Sequence, residues 1–274
     1  MVDKKYIDTQ KIGFMQGRLT AKGGFSPQMF PWTEWEKEFE LASHIGFCSM
    51  EWMFNSDRWE RNPIIEEEGI ETIIGRMKET GVTISAICLN YFMQNSIFSS
   101  DEKEKNITIF NKIIQSARKI GCGNVILPLF DKSELFCDDK IYLDKLSDFL
   151  EAGQTKGINI CLETDLPMEE VAEFVKKRMT AGIGICYDIG NAAGSGKNVI
   201  EELKSYSEII KNVHIKDKKR GKSSVMLGRG DAPLKEALEV LKGKYNGYYI
   251  LESYYNQDAL ADTIKNYQYV KGCI

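Results

Sequence analysis

Histidine is the scarcest of the proton-carrying and metal-ligating groups in this 274-residue sequence. There are two, His44 and His214, so any centre built on three or more histidines is excluded by arithmetic. Acidic residues number 40, and most must be solvated surface charges. Three stand apart because each ends a short β-like run: Glu163 in INICLETD, Asp188 in IGICYDIGN and Glu252 in YYILESY. His214 lies inside a fourth such run, KNVHIKD. Alone, a strand-end carboxylate is ordinarily a solvated charge or a helix cap, and a strand histidine a hydrogen-bonded core residue. Together, three carboxylates and one imidazole are a donor set for a divalent cation. Mn²⁺ is the expected ion, with Mg²⁺, Co²⁺ and Zn²⁺ as alternatives.

Such a set works only if the fold brings the four runs together. β-like runs are read at Ile12–Arg18, Phe47–Trp52, Val82–Leu89, Asn124–Leu129, Ile158–Glu163, Ile183–Asp188, Asn212–Lys216 and Tyr248–Glu252. Between them, apolar residues at three- and four-residue spacing predict helices. These are Trp35–Ile45, Ile70–Thr80, Lys103–Ile120, Ile141–Lys156, Met168–Met179, Val199–Ile209, Leu234–Lys242 and Asp258–Val270. Gly46, Gly81, Gly121, Gly157 and Gly182 stand just before the next strand, as left-handed helix caps do. Eight strand–helix units predict an α/β fold, a single (β/α)8 TIM barrel over residues 1–274, with no linker or domain boundary. A doubly wound open sheet is the rival, but its glycine-rich phosphate turn is missing after the first strand.

In a closed barrel the site lies at the C-terminal strand ends, and alternation says which side chains point inward. Ile158, Ile160 and Leu162 oppose Cys161 and Glu163. Ile183, Ile185 and Tyr187 oppose Gly184, Cys186 and Asp188, and Val213 and Ile215 oppose His214 and Lys216. The bulky aliphatic faces suit the outer helices, so the polar faces belong to the lumen. The last run is less clean, with Tyr248, Ile250 and Glu252 sharing a face.

The sequence resembles the xylose isomerase-like TIM barrels, in particular their sugar and sugar-phosphate isomerase/epimerase branch. The matching pieces are FMQGRL at Phe14–Leu19, MEW at Met50–Trp52, LETD at Leu162–Asp165, YDIGN at Tyr187–Asn191, VHIKD at Val213–Asp217 and LGRGD at Leu227–Asp231. They run along nearly the whole chain. The resemblance implies that Glu163, Asp188, His214 and Glu252 ligate the metal and that Glu163 and Glu252 double as the acid/base pair. Family members that epimerise free ketoses often carry a histidine shortly after the strand-6 aspartate. Asn191 stands in that region here, so recognition of the substrate carbonyl is expected to differ.

The expected chemistry is proton transfer through a metal-stabilised enediolate. The strands of Glu163 and Glu252 are not neighbours, so the two carboxylates can reach one carbon from opposite faces, one removing a proton and the other returning one. That inverts the centre; transfer between C1 and C2 instead gives aldose–ketose isomerisation, and the sequence does not separate the two. An inositol-type ketone dehydratase on the same site and a sugar-binding barrel without catalysis are the alternatives. Apurinic endonucleases of the same superfamily need more histidines for their trinuclear zinc site.

Substrate contacts are expected from Gln16 and Arg18 at the end of strand 1, from Lys216 beside His214, and from Asn191. Glu51 ends strand 2 and is placed either at the substrate or in a pair with a basic neighbour such as Arg18. Asp217 is a candidate supporting partner of the site, and Phe25, Phe30 and Trp32 are either a cover for the substrate or simple packing of their loop. His44 falls on a surface helix and has no role. The segment KDKKRGKSSVMLGRGD puts Lys216, Lys218, Lys219, Arg220, Lys222 and Arg229 within 14 residues. Arg229 between Gly228 and Gly230 is the best candidate to read a phosphate, because glycines let backbone amides approach an anion. The remaining lysines of that loop, Lys218 and Lys219 above all, read as solvated charge.

The net charge of −4, with both signs interspersed, gives no attraction to nucleic acid or anionic lipid. No apolar run approaches a membrane span, and MVDKKYIDTQKIGF lacks a secretory core. Seven scattered cysteines without a C-x-x-C pair suit reduced, buried thiols and a cytoplasmic location. The partner is a small sugar or sugar phosphate, and the sequence is compatible with a homo-oligomer as well as a monomer.

Overall fold

Eight parallel strands close into a barrel. They are β1 Ile12–Met15, β2 Ser49–Met53, β3 Thr83–Cys88, β4 Asn124–Pro128, β5 Asn159–Glu163, β6 Ile183–Asp188, β7 Ile210–Ile215 and β8 Tyr249–Leu251. Each pairs with the next in sequence, and β8 pairs back onto β1. This is the predicted (β/α)8 architecture, seen in a computed structural model that describes residues 11–22, 29–135, 146–154, 157–178 and 182–274. Phe25, Cys137, the expected helix start at Ile141 and helix end at Met179 lie outside the described residues.

The outer helices are α1 Trp35–Ile45, α2 Glu67–Thr80, α3 Lys103–Ile120, α4 Ser147–Gln154, α5 Met168–Lys176, α6 Val199–Tyr206, α7 Leu234–Leu241 and α8 Ala259–Lys271. The five glycines read as caps all adopt positive φ, between 69° and 101°. Two short helices, Tyr91–Gln94 and Ile189–Gly194, and a hairpin pairing Asp217–Lys218 with Ser224–Val225 were not anticipated. The Ile189–Gly194 turn has two glycines and little helix propensity, but Asp188 caps it by accepting from the Asn191 N–H at 2.9 Å.

Apolar side chains separate into two bodies. Phe14, Trp52, Leu127, Leu162, Val213 and Leu251 belong to the large core between barrel and helices. Ala86, Cys88, Ile126, Cys161 and Cys186 form a second, small cluster, so thiols and short side chains fill the barrel interior beneath its mouth.

Two register shifts set which residues face the lumen. Ile185 pairs with Ile210 but Cys186 pairs with Asn212, so Lys211 is an extra residue in β7. Ile210 and His214 are four apart and would share a face on a regular strand; the bulge puts His214 opposite Asp188 instead. The carbonyl of Lys211 is taken up by Asn124 Nδ2 at 3.3 Å and Tyr245 Oη at 3.2 Å. The bulge also needs Gly184, where an added Cβ would lie 2.3 Å from Lys211 Cγ. A matching shift in β3, with Met50 on Ile84 and Glu51 on Ala86, leaves Ser85 as the extra residue.

Candidate functional site

Glu163, Asp188, His214 and Glu252 come together at the C-terminal end of the barrel, each offering a ligand atom within 4.8 Å of the others. Strand order explains it: β5, β6, β7 and β8 are consecutive neighbours. His214 Nδ1 lies 3.0 Å from Glu252 Oε2 and 3.5 Å from Glu163 Oε1, yet it makes no aligned hydrogen bond. A buried ring nitrogen aimed at carboxylates without a bond of its own is the arrangement a metal ligand requires. Three hard oxygen donors and one imidazole fit a divalent cation, which these four residues could hold.

Lys216 is the fifth member. Its ammonium lies 2.7 Å from Glu252 Oε1 and 2.8 Å from Asp188 Oδ2, with the residue only 8% exposed. Burial opposes charge on Lys216, but Asp188, Glu252 and Glu163 outweigh it and raise its pKa. Burial likewise pushes the Glu252 carboxyl up, and Lys216, His214 and Arg18 more than reverse this, holding it well below the usual carboxylate range. Glu163 moves the other way, raised first by burial and further by Glu252 and Asp188, against the pull of His214. Burial opposes a charged His214 ring, yet Cys186, Glu51 and Glu163 raise its pKa well above the ordinary histidine value.

Arg18 is buried, with Nε donating to the Ser253 carbonyl at 3.3 Å and Nη2 3.9 Å from Glu252 Oε1. It is therefore close to the site but does not pair with Glu51. Gln16 is buried, its Oε1 accepting from the Met53 N–H at 3.1 Å while Nε2 has no partner. Asn191 stands beside the cluster in a narrow cleft that also reaches Glu163 and Asp188; its Oδ1 accepts from Lys218 Nζ at 3.2 Å.

Four expectations are revised. Of its two expected places Glu51 takes the pair with a basic neighbour, but that neighbour is His214 rather than Arg18: Glu51 is fully buried, with Oε1 and Oε2 2.9 and 3.0 Å from His214 Nε2 and Asn212 Nδ2 donating to Oε2 at 3.0 Å. Asp217 does not support the cluster; its carboxylate accepts from the N–H groups of Gly228, Gly230 and Ala232 at 2.9, 2.8 and 3.1 Å. The amides flanking Arg229 therefore already hold an anion from the protein itself, and the Arg229 side chain is exposed; the phosphate-reading role loses its backbone half. Phe30 is buried against Trp32 and Trp52, with centroids 4.7 and 5.3 Å away, so it packs the loop. His44 is exposed on α1, as expected.

Glu38 went unread. It is fully buried on α1 and accepts from Gly17 N at 2.8 Å, Leu19 N at 3.0 Å and Thr20 Oγ1 at 3.1 Å. It thus ties down the turn that presents Gln16 and Arg18. Burial pushes its pKa up to about 7, against those backbone and hydroxyl bonds. A signal existed: Glu38, Ala42 and Ile45 follow the i, i+4, i+7 apolar stripe of the helix.

A family model described as xylose isomerase-like TIM barrel matches residues 39–271. Among curated proteins, an L-ribulose-5-phosphate 3-epimerase, UlaE, of Salmonella paratyphi A is 24% identical over 232 residues, covering 80% of this chain and 81% of that one. The 3-keto-D-glucoside 4-epimerase YcjR of E. coli superposes with a TM-score of 0.73 at 16% identity, covering 96% of this chain and 99% of that one. A xylose isomerase-like TIM barrel protein of Mycobacterium smegmatis in complex with magnesium gives 0.70 at 16% identity, covering 98% of each chain.

Proposed function

We propose a function from the premise that this chain belongs to the xylose isomerase-like TIM barrel family: it is a divalent-metal-dependent sugar or sugar-phosphate epimerase or aldose–ketose isomerase. The observation that carries the reading is the approach of Glu163 and Glu252, from strands separated by β6 and β7, to the same ring nitrogen of His214 at 3.5 and 3.0 Å. Its relatives include sugar epimerases, and one structural neighbour holds magnesium. Glu163, Asp188, His214 and Glu252 would hold the cation, Mn²⁺ or another of its class. When bound, the cation supplies Lewis-acid stabilisation of the negative charge that develops on the substrate oxygens.

The protein's own groups move the proton. One carboxylate, Glu163 or Glu252, takes the proton from the carbon beside the carbonyl, and the C–H electron pair moves toward the carbonyl oxygen. The other carboxylate, protonated, delivers its proton to the opposite face, and the centre inverts. In this reading Lys216, 2.7 Å from Glu252, holds the charged oxygen, and Arg18, Gln16 and Asn191 bind hydroxyls. The test is deuterium uptake from D₂O into a panel of ketoses and their terminal phosphates, followed by mass spectrometry and NMR. Exchange at a single carbon that disappears in both Glu163→Gln and Glu252→Gln is expected. Metal-loaded protein that exchanges nothing, or that eliminates water, overturns the assignment.

A further inference from the structure

Glu51 has no place in the proton transfer, yet it is one of the few wholly buried carboxylates and lies directly against the cluster. We infer that Glu51, steadied by Asn212, is a positioning residue that fixes which nitrogen of His214 faces the cation; this rests on the metal centre proposed above. A neutral imidazole carries one N–H and one lone pair, and only the lone pair can ligate. Both oxygens of Glu51 lie within 3.0 Å of Nε2, which makes Nε2 the protonated nitrogen. Nδ1, which faces Glu252 and Glu163 without an aligned hydrogen bond, is then the nitrogen whose proton a cation would displace and whose lone pair would ligate it.

The surroundings hold Glu51 to this task. Asn212 Nδ2 donates both to Glu51 Oε2 at 3.0 Å and to Cys186 Sγ at 3.4 Å, bracing the carboxylate from the strand that carries His214. Cys186 Sγ, 3.5 Å from Nε2, is a second and weaker acceptor on the same side of the ring. The β7 shift lies below Asn212 and His214, so these two owe their inward direction to a bulge, while Glu51 faces them from the unbulged β2. Negative charge against the distal N–H also makes the ligating nitrogen more basic.

The experiment compares wild type, Glu51→Gln and Glu51→Met. Zn²⁺ and Mg²⁺ affinities are read by calorimetry, thermal midpoints in chelator, and ¹⁵N imidazole shifts in Zn²⁺-saturated protein. With two histidines in the chain, His44→Gln identifies the His214 signals. Glu51→Gln retains one oxygen acceptor and should keep the Nε2–H pattern while weakening metal binding about 10-fold; Glu51→Met should lose the uniform pattern and weaken binding toward roughly 100-fold. A folded Glu51→Met that binds both cations like wild type with unchanged ¹⁵N shifts overturns the positioning role and leaves the metal centre standing. Wild type that takes up neither cation overturns both. If Glu51→Met does not fold, Glu51→Gln decides through its affinity alone, and wild-type affinity there overturns the inference.

Discussion

Lys216→Met separates charge from bulk at the mouth of the barrel, because methionine nearly matches the lysine stem but carries no ammonium. In the native site that ammonium touches Asp188 and Glu252 at 2.8 and 2.7 Å, within reach of a third carboxylate, Glu163. Removing one partner from a buried ion pair costs about 3–5 kcal/mol. For a domain of this size each kcal/mol moves the midpoint by about 2–4 °C, so Tm in chelator should fall by roughly 6–20 °C. A bound divalent cation places positive charge among the same carboxylates. With saturating metal the loss should at most be about half as large, and metal affinity should rise on the order of 10-fold. Calorimetric scans with chelator and with Mn²⁺, alongside metal titration, give both quantities. Equal destabilisation in the two conditions, or weaker metal binding by the variant, would refute the idea that Lys216 and the cation share those carboxylates.

Glu163→Gln and Glu252→Gln should each lower deuterium exchange by at least about 10²-fold while the barrel stays folded; metal content is measured in parallel, and near wild-type exchange in either removes the two-carboxylate mechanism. Glu38, with a folded pKa of about 7 against 4.5, holds a proton that the unfolded chain releases, so its contribution is full below pH 4.5 and lost as pH rises through 7. Chemical denaturation should show a decline of about 3 kcal/mol across that window that is absent in Glu38→Gln; parallel pH profiles count against a buried protonated Glu38. Gly184→Ala pushes a methyl to within 2.3 Å of Lys211 Cγ and should destabilise by about 1–3 kcal/mol; an unchanged Tm means the β7 bulge accommodates it freely.

The barrel was legible because its signals are local and repeat: strand runs, helix stripes and glycine caps. Trp35–Ile45 and Lys103–Ile120 agree at both ends, while Ile12–Arg18 shortens to Ile12–Met15 because Gly17 turns at φ 86°. The four clustered residues were legible because each strand could be read from its own C-terminal end. The His214 partner of Glu51, the loop amides held by Asp217 and the engagement of the amides around Arg229 went unread for one reason. Each depends on which donors lie across the barrel or along a folded loop, and one sequence does not encode those distances in its spacing. The strand-end position of Glu51 did not say that His214, 163 positions away, would meet it inside the barrel.

The extra residue at Lys211 acts as a slip joint. Below it the strand keeps phase with the helices outside; above it, with the mouth. The two halves of β7 are thereby free to drift separately: changes that repack Ile209 and Ile210 against the outer layer need not rotate His214 or Lys216. A barrel built this way can renew its wall while its chemistry keeps its aim, and what fixes that aim is one surplus residue lying over one glycine, Gly184.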